Sequence, residues 1–314
     1  FTMPNNSVTL TAQWEEQKIN DFITLNTKDV EKVYDGEALE AGTATVNGKS
    51  EGVDITSVKI EYSLDGKTWK ENPSEITAIN VSDSKTVQVR ATSPDYVGTL
   101  TGEQKLTINK AAVTLKSADL SKPYDGKALV NGETALVTET GWAEGEGATY
   151  SFTGSQTLVG SSANAFSYTL KSNTKEANYN ISKSEGTLTV TNRPEDAKYE
   201  ITVKANSATA TYDGQPHTAA GLETATFEVD GSTYTVEGLT TEDPTKIDAG
   251  TYTNNITGTA VVKDASGNDV SAQFVVSTEN GSLTINKADV TLKSADLSKP
   301  YDGKALVNGE TALV

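Results

Sequence analysis

Few residues in this 314-residue sequence could do chemistry. His217 is the single histidine. A catalytic triad or a zinc centre needs a histidine beside other fixed groups. Where Gly214-Gln215-Pro216-His217 stands, a matching stretch reads Gly126-Lys127-Ala128-Leu129, so His217 reads as a surface or edge residue. Forty-three acids supply pairs of the kind a glycosidase uses. In copied units a catalytic pair would be multiplied, whereas one enzyme needs one site. Asp264-Ala265-Ser266-Gly267-Asn268-Asp269 offers oxygen ligands at short spacing, as calcium at a module joint would require. It lacks the distal glutamate of the helix-loop-helix calcium loop and reads more simply as a hairpin loop. Trp69 and Trp142 could stack on sugar rings. Trp142, in the glycine-rich loop 141–147, is the better placed, although a ring capping its own loop is the plainer reading. There is no cysteine, hence no disulfide and no thiolate metal site. A Lys–Asn amide cross-link would suit such a chain, but no spacing selects its three residues. No catalytic, cofactor-binding or metal-binding residue is assigned, and the ligand-binding residues are unknown.

The elements that would position any such group are set by a tripeptide. Tyr-Asp-Gly occurs at Tyr34, Tyr124, Tyr212 and Tyr301, at intervals of 90, 88 and 89 residues. A mark returning at a fixed period signals a repeat array. The tripeptide is polar and repeated, so it could bind something. The structural reading is stronger: Asp-Gly relieves backbone strain in a turn, and the tyrosine lends a ring to a core with its hydroxyl at the edge. Pro123 and Pro300 precede the tyrosine in two copies, which suits a turn entry or an edge strand.

Formal net charge is −17 and the isoelectric point about 4.5. Such a surface repels phosphate backbones and anionic lipid, so neither nucleic acid nor membrane is an expected partner. No apolar run approaches the roughly 18 residues of a membrane span. Phe1-Thr2-Met3-Pro4 has no basic start and no apolar stretch after it, so it is not a signal peptide. No stretch with period 3.6 and end caps predicts a helix.

Period-two alternation predicts strands throughout. Val8, Leu10 and Ala12 alternate with Thr9, Thr11 and Gln13, which reads as the last strand of a module occupying 1–16. Complete units follow over 17–110, 111–192 and 193–287, and 288–314 begins a fourth, cut off, so the sequence reads as a window on a longer array. Val58–Leu64, Asp65-Gly66 and Lys67–Lys70 predict a tight hairpin. Other predicted strands are Thr86–Ala91, Phe166–Leu170 and Tyr199–Lys204, with closing strands at Leu106–Lys110, Thr187–Thr191 and Leu283–Lys287. Tyr96, Tyr179 and Phe274 each precede a closing leucine by 9 or 10 residues, suggesting a recurring core position. Val290–Val314 is identical to Val113–Val137, so the true period is two modules, 177 residues.

The Tyr-Asp-Gly-Lys-Ala-Leu opening, paired with the closing Gly281-Ser282-Leu283-Thr284-Ile285-Asn286-Lys287, resembles the YDG and MBG-type repeats of very large bacterial surface adhesins. Tyr62–Trp69 followed by Val87–Ala91 is similar to the same family. Phe1 to Trp14 resembles the last strand of an internalin-type B-repeat, a small β-grasp module. The first unit departs from the pattern with two extra residues before Leu106, and the second ends in Thr191-Asn192-Arg193. The resemblance implies a secreted, wall-attached, multi-domain adhesin and does not imply a catalytic site; no cofactor is expected, and attachment is expected through a region outside this segment.

The expected fold is all-β: tandem small β-sandwich (Ig-like) modules in an elongated array, with the end of a β-grasp-like repeat at the N-terminus. Strands of about eight residues at 3.3 Å each would give three modules a reach on the order of 100 Å. The expected function is a monomeric stalk or a multivalent adhesion repeat on a bacterial cell surface. The alternatives are modules that bind a host mucin glycan or immunoglobulin, and accessory modules of a secreted carbohydrate-active enzyme.

Overall fold

Threonine, valine and tyrosine dominate the periodic stretches, and they fit a pleated, half-buried surface. The computed structural model describes residues 11–13, 15–132 and 137–308, and it is all-β. Its helical content among them is one four-residue α turn, Ile19–Phe22, and five short 3-10 turns. The strand expected across Val8 and Leu10 lies outside the described residues, and Thr11–Gln13 form no strand.

Contacts gather the chain into two compact units. Of the described residues, one comprises those within 1–120, 130–155 and 161–188, the other those within 121–129, 156–160 and 189–314. This grouping does not follow the sequence repeat. The segments of the second repeat around Tyr124 and Leu158 group with the third repeat.

In the first unit the sheet of the first repeat orders Val30–Val33, Leu100–Asn109, Lys85–Thr92 and Lys59–Ser63. Val30–Val33 runs parallel to the closing strand, with Val30 opposite Leu106 and Val33 opposite Asn109. Val87, Val89, Leu106 and Ile108 point inward and are 0–2 % exposed. Two two-stranded ribbons, Ile23–Asn26 with Thr45–Gly48 and Leu39–Glu40 with Thr77–Ala78, complete the fold of that repeat. From the second repeat, Ala111–Ser117 lies between Val137–Thr140 and Tyr179–Ser184, and Ala148–Phe152 pairs with Phe166–Leu170. One core, including Val87, Leu106, Val113, Leu115 and Tyr179, runs through both repeats.

In the second unit Tyr199–Lys204 pairs in parallel with Phe274–Glu279. Ala208–Thr211 pairs in parallel with the closing Gly281–Asn286, whose other edge takes Gly250–Asn254 antiparallel. Ser232–Thr241 lies between Thr226–Val229 and Ile256–Asp264. Val203, Val236 and Val262 centre this core.

The expected Asp65-Gly66 hairpin is a wider loop. Tyr62 and Lys70 exchange backbone hydrogen bonds of 2.7 and 2.8 Å, but the strand Lys59–Ser63 pairs along its length with Lys85–Thr92. The Asp65 carboxylate takes the Lys67 and Thr68 N–H groups, each at 2.8 Å, and curls the chain before it can return as a ribbon. Those bonds hold the Asp65 carboxyl down at about 2.

Candidate functional site

Each Tyr-Asp-Gly forms the same turn. The aspartate Oδ1 accepts the N–H two residues on: Asp35 from Glu37, Asp125 from Lys127, Asp213 from Gln215 and Asp302 from Lys304, at 2.8–2.9 Å. The glycine that follows is left-handed, with φ between +74° and +86° in all four, a conformation that costs an L side chain about 1–2 kcal/mol. Lys32, Lys122 and Lys299 bind the aspartate from three residues upstream at 2.6–2.8 Å. The third turn has Ala210 there, and His217 Nε2 reaches Asp213 at 3.0 Å instead. The one histidine thus replaces a lysine as a turn brace. All four carboxyls sit below their ordinary value. The Lys32 ammonium leads for Asp35 and Asp302's Lys299 acts alike, whereas the Gln215 N–H leads for Asp213. At Asp125 burial is the largest single influence and works the other way, and the Lys122 ammonium and the Lys127 N–H together outweigh it.

The tyrosine is tied to the end of its own closing strand. Tyr34 N–H donates to the Asn109 carbonyl at 2.8 Å, Tyr124 to Thr191 at 2.9 Å and Tyr212 to Asn286 at 2.8 Å. In Tyr34 and Tyr124 the side chain then leaves its own repeat. The Tyr34 ring meets the edge of Tyr179 in the second repeat at 5.3 Å, and Trp142 meets Tyr179 from another side at 4.8 Å. Glu146 clamps both phenols: Tyr34 donates to Oε1 at 2.5 Å and Tyr179 to Oε2 at 2.6 Å. Around this clamp the buried Asn178 side chain accepts the Val81 N–H at 3.0 Å and donates to Asn80 at 3.0 Å. Tyr124 is likewise buried with residues of the third repeat, 1 % exposed in a cluster with Tyr234, Phe274 and Val270. Gln273, which precedes Phe274 as Asn178 precedes Tyr179, accepts the Arg193 N–H at 2.9 Å and donates to Asn192 at 2.6 Å. Arg193 in turn donates to the Tyr124 carbonyl at 2.9 Å.

The recurring aromatic therefore lies in the core that receives the preceding tyrosine: Tyr179 meets the Tyr34 ring directly, and Phe274 shares a cluster with Tyr124. Tyr179 and Phe274 are 2 % and 6 % exposed. Tyr96 is only half-buried, against Phe22 at 5.4 Å. Sequence reasoning placed the Tyr-Asp-Gly turn and the aromatic separately and did not see that the two share a core. A shared signal was legible in the amide residues, Asn178 and Gln273, before two of the three aromatics.

The other candidates resolve into local structure. Asp264 accepts the N–H groups of Ser266 at 2.9 Å and Asn268 at 2.8 Å, so the loop 264–269 satisfies its own carboxylate. No group of three metal-ligating side chains occurs among the described residues. Trp142 donates to Glu139 at 2.9 Å. Trp69 carries the Arg90 guanidinium 4.2 Å from its ring centre and lines a groove of about 430 Å³ with Gln88, Thr101 and Glu103.

Two expectations test the joints. Gly126→Ala should cost more than Gly214→Ala in a thermal melt, although both glycines have φ near +75°. A Cβ at residue 126 would lie 2.3 Å from the Tyr234 hydroxyl, whereas at 214 it meets nothing within 4 Å. Equal losses would deny the contact. Alkali should also loosen the joints. Burial, and then the Glu146 carboxylate, push Tyr34 and Tyr179 above 10, and burial does the same to Tyr124. The unfolded chain releases these protons first, so stability is full below about pH 10 and falls as pH rises through the folded values. Calorimetry across pH 8 to 11 would show it.

No family model and no curated protein matches the sequence. Among solved structures the chain is similar to a titin Z1Z2 chimera (12 % identity, 55 % of this chain and 98 % of that one, TM-score 0.25). It is similar also to the titin I-band fragment I67–I69 (10 %, 85 % and 98 %, 0.25) and to extracellular domains 3–5 of Drosophila OTK (9 %, 87 % and 100 %, 0.22). Scores this low carry no argument, and the architecture rests on the strand pairings themselves.

Proposed function

We propose that this chain is a non-catalytic segment of an extracellular adhesin on a bacterial cell surface, whose repeats space a binding domain away from the wall. The observation that carries the reading is where the recurrent polar residues go. Tyr34 and Tyr124 are buried in the following repeat, so the repeated motif is used to lock neighbours together. A joint with a buried ring and a shared carboxylate resists bending, unlike a flexible linker, whose ends collapse together. The resemblance of the motifs to YDG and MBG-type adhesin repeats supports the same reading.

A test places the chain between a surface anchor and a small binder on a crowded cell. The chain should restore access to a large ligand, and a Gly/Ser linker of equal residue number should not. Equal access with both would end the spacer reading. A second reading, that a repeat grips a glycan or an immunoglobulin itself, rests on the groove beside Trp69. Binding on a glycan array or in an immunoglobulin pull-down that Trp69→Ala abolishes would establish it.

A further inference from the structure

We propose that the end of the third repeat carrying Tyr212, Asp213 and Gly214 is a docking surface, and that its occupant is a repeat of the second type, the kind formed by residues 111–192. The inference rests on the spacer reading only in taking the repeats as a series.

The turn is built before anything covers it. Tyr212 makes the same backbone bond to its closing strand as Tyr34 and Tyr124, Asp213 makes the same turn bond, and Gly214 has the same left-handed φ of +78°. Only the covering differs. Tyr34 and Tyr124 are 6 % and 1 % exposed, and Tyr212 is 43 % exposed. Ile247 adds a second apolar side chain, 46 % exposed. It lies in the loop leading to Gly250, which pairs with Ile285 near the end of the closing strand. In the first repeat the loop leading to Lys85 holds the same place and carries Asn80 and Val81, the residues that take Asn178. Lys246, next to Ile247, pairs with His217, which braces Asp213, so an exposed tyrosine and isoleucine belong to one preformed turn region, the uncovered half of a joint.

The chain itself names the occupant. Asn286-Lys287-Ala288 leads out of the third closing strand as Asn109-Lys110-Ala111 leads out of the first. Beyond it, residues 290–314 repeat 113–137 without a change. In the second repeat that sequence forms the strand Ala111–Ser117, with Val113 and Leu115 at most 1 % exposed. After the third repeat the described part forms no strand, and Val290 and Leu292 are each 77 % exposed. The residues of a second-type repeat that accept a tyrosine are Glu146 for its hydroxyl, Tyr179 for its ring and Ala143, whose Cβ lies 3.4 Å from where a Cβ on Gly36 would be. That set matches the chemistry of an exposed Tyr-x-Gly turn.

The test extends the whole chain at Val314 by a copy of residues 138–192, which completes a second-type repeat. Both chains are nitrated with tetranitromethane and the tyrosines quantified by mass spectrometry. Tyr34 should stay unreactive in both and Tyr301, 99 % exposed, reactive in the unextended chain. Tyr212 should react in the unextended chain and fall to the level of Tyr34 in the extended one. Hydrogen exchange of the appended strands is read in parallel, and Glu→Ala at the appended copy of position 146 should return part of the Tyr212 reactivity. Tyr212 still reactive while the appended strands are protected overturns the proposal. Appended strands that gain no protection overturn it too, because the face would then have failed to accept the repeat offered. Tyr212 protected in the unextended chain, with a dimer in sedimentation, would assign the face to a second copy instead. A docked repeat on a chain that fails the spacer test would leave this inference standing and remove only the reading it began from.

Discussion

Tyr124→Ala should remove about 3–5 kcal/mol from the stability of the third repeat, the range for deleting a large ring from a core. The side chain is 1 % exposed and packs with residues of the third repeat, including Tyr234, Phe274 and Val270. The Tyr234 hydroxyl is buried there, so a cavity that admits water would reach it. The loss should appear as faster amide exchange at Tyr234 and Val236 and as a lower melting transition. Tyr212→Ala removes the same side chain from the same turn, yet it should stay within about 1 kcal/mol because its ring is already wet. Equal losses at the two positions would show that the tyrosine acts within its own turn and not on its neighbour.

Glu146→Ala should be the second large effect, about 2–4 kcal/mol on the joint between the first two repeats. One carboxylate accepts two phenols, each of which is nearly buried, and hydrogen bonds to charged acceptors contribute roughly 1.5–3 kcal/mol each. Part of that is offset because Glu146 is itself half-exposed and water can enter. Glu146→Gln keeps one acceptor and should lose about half as much. A cycle with Tyr34→Phe and Tyr179→Phe separates the two bonds, since residues in one network do not add. A neutral Glu146→Ala would leave ring packing alone to hold the joint.

The strands were legible where a period of two met a closed face. Phe166–Leu170, Thr187–Thr191 and Tyr199–Lys204 lie where alternation placed them. What alternation cannot carry is the partner. Residues 113–117 and 290–294 have one sequence. The first segment is a buried strand between two others, and the second is exposed without strand structure. A strand is stabilised by its neighbours, so the difference lies outside the residues concerned. The same holds for the joints. Glu146 sits in a glycine-rich loop 112 residues from Tyr34, and nothing local marks it as the acceptor for that phenol. His217 shows the opposite case. Its four-residue distance from Asp213 was visible, and the absent lysine at position 210 was the clue to its use as a brace.

Parallel pairing has a consequence for what happens under tension. In the third repeat two parallel pairs tie its first two strands to its last two: Tyr199–Lys204 lies along Phe274–Glu279, and Ala208–Thr211 lies along Gly281–Asn286, from Ala208 opposite Leu283 to Thr211 opposite Asn286. A pull applied at the two chain ends of that repeat slides these strands along each other, so the slanted bonds between them share the load and must rupture together. An antiparallel pair pulled from the same side would instead peel one bond at a time. Such a repeat would give way by a rate set by its unfolding barrier, which favours survival of brief tugs over survival of long ones.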